Sequence, residues 1–361
     1  MRTETKGRSI MSTRSRFLRQ ALGALAALVI CQTAPVIAQV KVVTTLPDYA
    51  AVAREIGGDL VEAESIAVGN QDPHFVLPKP SFALLLKSAD LFVTSGCDLE
   101  MWAPTIIDKA RNPDVVEGSR GYVSCGSGVD MLERPTRGYD RSAGEIHVYG
   151  NPHFQTSLLE MKIAADNICY GLCNVDPANE ATYEANLIDL KNRIDRAMYG
   201  EALVEIVGSE RLDAMVRDGT LIEFLQSETA DGEPLIDQLG GYLEAAMPFR
   251  GLRIIAYHKN WSYFARDFGI EVVELIESKP GIPPTAKHVK EVIDLIDRLD
   301  LKIMLVGNYF EKNTPRKIEE RAGIRAIILP VSVGGAEGTD TVFDLFNLWI
   351  ETINQVLDEI G

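Results

Sequence analysis

Residues 252–276 read LRIIAYHKNWSYFARDFGIEVVELI. LRIIAY (252–257) has the short apolar run of a buried strand. WSYFARDFG (261–269) has helical spacing and ends on a glycine, the residue that most easily closes a helix. EVVELI (271–276) is a second strand. Two strands joined through a helix lie parallel, because the helix is the crossover that brings the chain back to the same end of the sheet. This βαβ unit therefore predicts an α/β fold. It also puts His258 directly after the first strand, at the carboxyl end, where open α/β sheets bind ligands.

The same alternation runs in both directions. Towards the C-terminus it gives a helix over 285–300, a strand over 302–307, a helix over 316–323, a strand over 325–331 and a closing helix over 341–360. Towards the N-terminus, strands are expected at 40–46, 64–68, 90–96 and 122–125. Helices are expected at 49–57, 80–89, 100–111 and 156–173, and roughly 201–247 is read as helical throughout. DPANEATYEANLIDLKNRIDRAM (176–198) has Pro near its start and few breakers, and reads as one long connecting helix. The expected fold class is thus α/β, with two lobes of about four parallel strands each, flanked by helices and joined by one long helix. The expected division is an N-terminal lobe over 39–175, a linking helix over 176–199 and a C-terminal lobe over 200–361.

Residues 1–38 differ from the rest. Six basic residues precede the apolar run ALGALAALVI (21–30), and Val36 and Ala38 stand before a plausible cleavage point. This is the pattern of a secretory signal peptide, and the run is short for a membrane anchor. Its removal leaves 30 Lys and Arg against 51 Asp and Glu, a net charge of −21. Such a chain lacks the basic face that nucleic acid requires. The expectation is an exported, acidic, monomeric protein of the periplasm. Four cysteines remain. Cys97 and Cys125 each follow a strand and are candidates for a disulfide, with buried free thiols as the alternative; Cys169 and Cys173 share one helix face.

The chain holds five histidines. GNQDPHF (69–75) and GNPHF (150–154) present two of them in the same way, each directly after a proline. Proline fixes its own backbone and restricts its predecessor, so the histidine stands on a stiff mount, as a metal ligand should. Asp72 and Asn151, two residues before each histidine, are candidates to orient the turn or to support the ring. Three neutral imidazoles, His74, His153 and His258, with one further ligand would make a tetrahedral zinc site. The alternative for each histidine alone is a packed or surface residue. HExxH, GxSxG, the phosphate-binding GxxxxGK[ST] and GxGxxG after the first strand are all absent, and neither Glu100 nor Glu277 can be placed beside a metal-bound water from sequence. An enzyme is not expected.

DPHFVLPKPS (72–81), GNPHFQTS (150–157), DPANEATYEANL (176–187) and YHKNWSYFARDFGIEVV (257–273) together resemble the metal-binding solute-binding proteins of bacterial ABC importers, the ZnuA/TroA-like cluster A-I family. The resemblance spans nearly all of 40–360. It implies two α/β lobes on a long helix, metal ligands at His74, His153 and His258, capture of Zn²⁺ or Mn²⁺, and delivery to an inner-membrane permease. Two departures stand out. The aspartate that many members carry after the last strand is missing, with Pro330, Val331 and Ser332 near its place, which leaves water or a carboxylate such as Glu277 for the fourth position. The loop at 128–150, His-rich in some zinc members, holds only His147, which is either a supporting group, a relay or an ordinary loop residue. His288 is read as a surface residue. Three imidazoles without an evident carboxylate favour Zn²⁺ over Mn²⁺. An exported zinc enzyme and an adhesion protein on the same scaffold are the alternatives.

Overall fold

The computed structural model describes residues 1–3, 39–135, 147–277 and 281–361. The signal-peptide reading rests on residues outside this set, as does the middle of the 128–150 loop. Gln39–Gly361 pack as one unit.

The first sheet is built from β1 (Val40–Thr44), β2 (Val61–Ser65), β3 (Leu91–Thr94) and β4 (Tyr122–Ser124), all parallel, in the order β2-β1-β3-β4. β3 is buried along its whole length, so it reads as a continuous apolar run, whereas the edge strand β2 alternates with one face exposed. That alternation explains a shift. The strand expected at 64–68 is centred three residues earlier, on VEAES, and the apolar Ile66-Ala67 that drew the reading extends its pairing by two hydrogen bonds to Thr44 and Thr45. Helices α1 (Pro47–Gly57) and α2 (Pro80–Lys87) each begin on proline, whose missing N–H costs nothing in a first turn. α3 (Ala103–Ala110) follows β3.

α4 (Leu158–Val175) starts at Ser157, whose hydroxyl accepts from the Glu160 N–H. α5 (Glu180–Tyr199) is the long central helix; Asp176-Pro177 opens a 3₁₀ turn that delays its start to Glu180. Lys162 of α4 is buried and bridges Asp195 of α5 and Asp213, each at 2.5 Å, and Asp213 also accepts from the Tyr199 hydroxyl. Residues 201–247 contain α6 (Glu201–Val207), α7 (Ser209–Arg217), α8 (Leu221–Ser227) and α9 (Gly241–Ala245). They are not helical throughout. Asp231 and Gly232 both have positive φ, 52° and 89°, and form the two-residue turn of a small hairpin between β5 (Thr229–Ala230) and β6 (Glu233–Pro234).

The second sheet contains β7 (Arg253–Ala256), β8 (Glu271–Leu275), β9 (Ile303–Gly307) and β10 (Arg325–Leu329), parallel, in the order β10-β9-β7-β8. The opening βαβ unit is β7, α10 (Ser262–Phe268) and β8, with Gly269 in the left-handed region closing the helix. α11 (Ala286–Leu299), α12 (Asn313–Ala322) and α13 (Val342–Ile360) complete the layer.

One contiguous apolar core runs through both halves, from Val42, Val93 and Leu158 through Tyr199 to Phe264, Leu305 and Trp349. Beside the sheet edges the chain comes together backbone to backbone: a Cβ on Gly69 would collide with Val333 O and the Gly334–Gly335 peptide, and one on Gly335 would meet Gly69 O at 2.6 Å. Cys97, Cys125, Cys169 and Cys173 are all free thiols, so the disulfide considered between Cys97 and Cys125 is not formed. Cys125 is fully buried in the core, and burial pushes both thiols up, Cys97 to about 11. Among the described residues no helix is long and apolar enough to cross a membrane.

Candidate metal centre

The two Pro-His turns are built alike. The Asp72 carboxylate accepts from the His74 N–H at 3.0 Å, and the Asn151 side-chain oxygen accepts from the His153 N–H at 3.0 Å. In each, an Asx side chain bonds its own backbone two residues on, around a proline that fixes the intervening peptide. They are then secured differently. Pro73 is pinned by the Trp102 indole N–H, which donates to its carbonyl at 2.7 Å. Asn151 instead reaches the other half of the molecule: its amide donates to Lys259 O at 2.9 Å, its own carbonyl accepts from the Tyr263 hydroxyl at 2.7 Å, and Thr156 donates to Asn260 O at 3.0 Å. The GNPHF and HKNWSY segments are therefore one hydrogen-bonded seam.

His258 stands in extended backbone between β7 and the turn at Lys259–Trp261. Its Nδ1 meets Glu277 Oε2 at 2.7 Å. Glu277 lies two residues past β8, the strand paired with β7, and its N–H donates to Tyr257 O at 2.9 Å, so the sheet itself sets the pair side by side. The other Glu277 oxygen accepts from the Gly281 N–H at 2.9 Å. Glu277 thus backs the ring of His258 at Nδ1, on the side away from the other imidazoles. His74 has the same arrangement: its Nδ1 meets Asp72 Oδ1 at 2.7 Å. A carboxylate on Nδ1 fixes the tautomer and makes Nε2 the ligating nitrogen.

His74, His153 and His258 each offer a nitrogen within 4.8 Å of those of the others. His258 Nε2 and His153 Nε2 are 3.3 Å apart, and the ring centres of His74 lie 4.9 Å from His153 and 5.6 Å from His258. His153 and His258 are buried, and the His74 side chain is 5% exposed. His147 stands beside His74, its Nε2 3.2 Å from His74 Nε2, but is not part of that mutually close set. Burial, reinforced by the neighbouring imidazoles, holds His153 well below the usual histidine range and His147 at about 3, so both are neutral and able to ligate near pH 7. Burial raises Asp72, but hydrogen bonds and charge from His74 outweigh it and hold the carboxylate below its ordinary range.

The remaining candidates stand elsewhere. Glu100 is buried and accepts from the Thr45 hydroxyl at 2.6 Å and the Ser95 N–H at 2.8 Å, capping strand ends. His288 is more than a surface residue, since its Nε2 bonds Leu275 O at 2.8 Å and ties α11 to β8. At the place of the missing aspartate, Asp48 from the start of α1 accepts from the Val333 N–H at 3.1 Å and bonds the Ser332 side chain. Its other oxygen is buried without a partner among the described residues, and burial raises it to about 6. Nothing in a lone Pro-Asp at a helix start announces that contact, 285 positions along the chain.

The fold and the imidazole cluster define the class: a solute-binding protein of the metal ABC-importer type rather than an enzyme. Over residues 42–198 and 233–360 the chain matches the zinc-uptake complex component A, periplasmic (ZnuA), and it belongs to that family. It is 24% identical over 319 residues to the iron-binding protein YfeA of Yersinia pestis, covering 87% of this chain and 85% of that protein. It is 29% identical over 162 residues to the manganese ABC transporter substrate-binding lipoprotein PsaA of Streptococcus anginosus, covering 44% of this chain and 49%, about half, of that protein's length. A crystal structure of ZnuA superposes with a TM-score of 0.64 at 20% identity, covering 88% of this chain and 98% of that one. The manganese complex of FpvC from Pseudomonas aeruginosa gives 0.64 at 19% identity, covering 90% and 100%. These likenesses carry the two-lobed fold.

Proposed function

We propose that this chain is the exported zinc carrier of an ABC importer, which takes Zn²⁺ between an N-terminal lobe (39–175) and a C-terminal lobe (200–361), hinged on the 176–199 helix, and passes it to an inner-membrane permease. His74, His153 and His258 are its ligands. The observation that carries this reading is the convergence of three imidazole nitrogens within 4.8 Å of one another from three separate segments. Relatives are named for zinc, manganese and iron, so their names do not choose the ion. The donor chemistry supports zinc over manganese: imidazole suits Zn²⁺, as it also suits iron, whereas Mn²⁺ prefers carboxylate, carbonyl and water oxygen. The carboxylates of Asp72 and Glu277 are spent on the far nitrogens of their histidines. The mature protein works in the periplasm as a monomer.

The test is competition calorimetry on metal-stripped protein with Zn²⁺ and Mn²⁺. One tight zinc site is expected, with manganese weaker by at least about tenfold. Equal affinity for the two ions, or a His258→Ala variant that binds zinc as tightly as wild type, would overturn the reading.

A further inference from the structure

We propose a second metal site, separate from the histidines, in which Cys169 and Cys173 of α4 and the carboxylates of Glu180 and Glu184 of α5 hold a thiophilic divalent cation of the zinc type. Its evidence is independent of the three-histidine reading. Cys169 and Cys173 stand one turn apart on one face of α4, with their Sγ atoms 3.9 Å apart. Two sulfurs at about 2.3 Å from a tetrahedral zinc ion lie about 3.8 Å apart. The pair is thus already spaced as a chelate. It is not spaced as a disulfide, because i,i+4 Cβ atoms on a helix lie about 5–6 Å apart and a disulfide needs about 3.5–4.5 Å.

The neighbouring helix supplies the oxygens. α4 and α5 are joined by the short turn at 176–179, so they run antiparallel. Their register is fixed by Lys191, whose ammonium donates to the two Asp166 oxygens at 2.9 and 3.0 Å. Cys173 lies two turns beyond Asp166, and Glu184 two turns before Lys191, which brings thiol and carboxylate to the same level. Glu180 is one turn further along the same face of α5. Tyr183, between the two glutamates, is buried, and its hydroxyl donates to Asp176 at 2.7 Å, which ties this face of α5 to the end of α4.

The charges here are unbalanced. Burial raises both thiols, Cys169 to about 12; Glu184 adds to the rise at both, and Glu180 at Cys173. Glu180 and Glu184 are exposed like charges at i,i+4, a spacing at which they repel, and among the described residues neither is in a salt bridge. Asp166, the remaining acid nearby, is held by Lys191. A divalent cation answers all of this at once. It replaces the two thiol protons, which leave to solvent, and it stands between the two carboxylates. Facing helices are a common frame for such donor sets, and thiolate sulfur selects zinc-like ions over Mn²⁺. The thiols lie about 16–23 Å along α4 from its start, which itself follows His153 by five residues, so the two sites do not share a ligand.

The test titrates metal-stripped, thiol-reduced protein with Cd²⁺ and reads the ultraviolet thiolate-to-cadmium absorption in wild type, His258→Ala, Cys173→Ser and the double variant Glu180→Gln, Glu184→Gln. Wild type and His258→Ala are expected to show the same thiolate band, saturating at one such ion per chain. Cys173→Ser is expected to lose the band although the other cysteines remain. The double variant is expected to keep the band but to bind cadmium there at least about tenfold more weakly, the least that loss of a supporting residue costs a metal site. No thiolate band in reduced wild type, or a band retained in Cys173→Ser, would overturn the site. A band lost in His258→Ala would assign it to the histidines and overturn the second site as well. Unchanged affinity in the double variant would overturn the part given to the carboxylates.

Discussion

GNQDPHF and GNPHF fold into the same Asx-Pro-His turn but carry opposite dependencies. In the first, Asp72 serves the ring: it holds the His74 backbone N–H and also stands on Nδ1. In the second, Asn151 serves the seam: it holds the His153 N–H and spends its amide on Lys259 O across the molecule. His153 Nδ1 is buried with no partner among the described residues, so its ring is positioned by packing and backbone rather than by a carboxylate. The difference teaches that one short motif can be tuned for ligand basicity in one place and for rigidity in another, by a single change between Asp and Asn.

The comparison breaks first at the histidines. His153→Ala is expected to lower zinc affinity more than about 100-fold, beyond the cost of losing a supporting residue, and to lose more than His74→Ala, because water replaces a ligand less readily at the more deeply buried position. Parallel chelator competitions measure the ranking, and a larger loss at His74 would reverse it. Next comes the seam. Asn151→Asp would set a carboxylate against the Lys259 carbonyl, acceptor on acceptor, and is expected to destabilise the metal-free protein by on the order of 2–3 kcal/mol in a denaturant titration.

Asp48, a third Asx residue where the two halves meet, sharpens the contrast with pH. Its folded value of about 6 lies above the ordinary 3.8, so the folded protein holds this proton longer than the unfolded chain. Stability is therefore highest, as far as this group is concerned, below pH 4, and declines as pH rises through 6. Asp48→Asn removes the decline. The variant is expected to gain on the order of 3 kcal/mol over wild type at pH 8, since the rise to about 6 is what remains after the bonds to Val333 and Ser332 have lowered it, and to show no gain at pH 4. Thermal melts across that range measure it. The smallest effect belongs to Asp72→Asn, where the neutral amide still reaches the ring: zinc affinity falls roughly tenfold, while the melting of the metal-free protein barely moves.

The alternation of strands and helices was legible because the central strands are buried on both faces and stand out as apolar runs. β2 was misplaced because an edge strand shows only half of that signal. The 229–234 hairpin was hidden in a helical stretch, although Asp231-Gly232 carries its turn chemistry. His74, His153 and His258 were visible through proline and strand-end context, both local. Glu277 was visible as a carboxylate, but its side of His258 depends on how β7 pairs with β8. Asp48 meeting Val333 and His147 meeting His74 depend on long-range folding, which residue types and spacing do not encode in a form that can be read directly.

Gly69 begins the first of the two histidine stretches, and its contact with Gly334–Gly335 is main chain against main chain. Side chains can change rotamer to relieve a close approach; two peptide groups already in contact cannot. A single methyl at position 69 would therefore act as a shim, driving these two stretches of main chain apart without touching any of the three histidines.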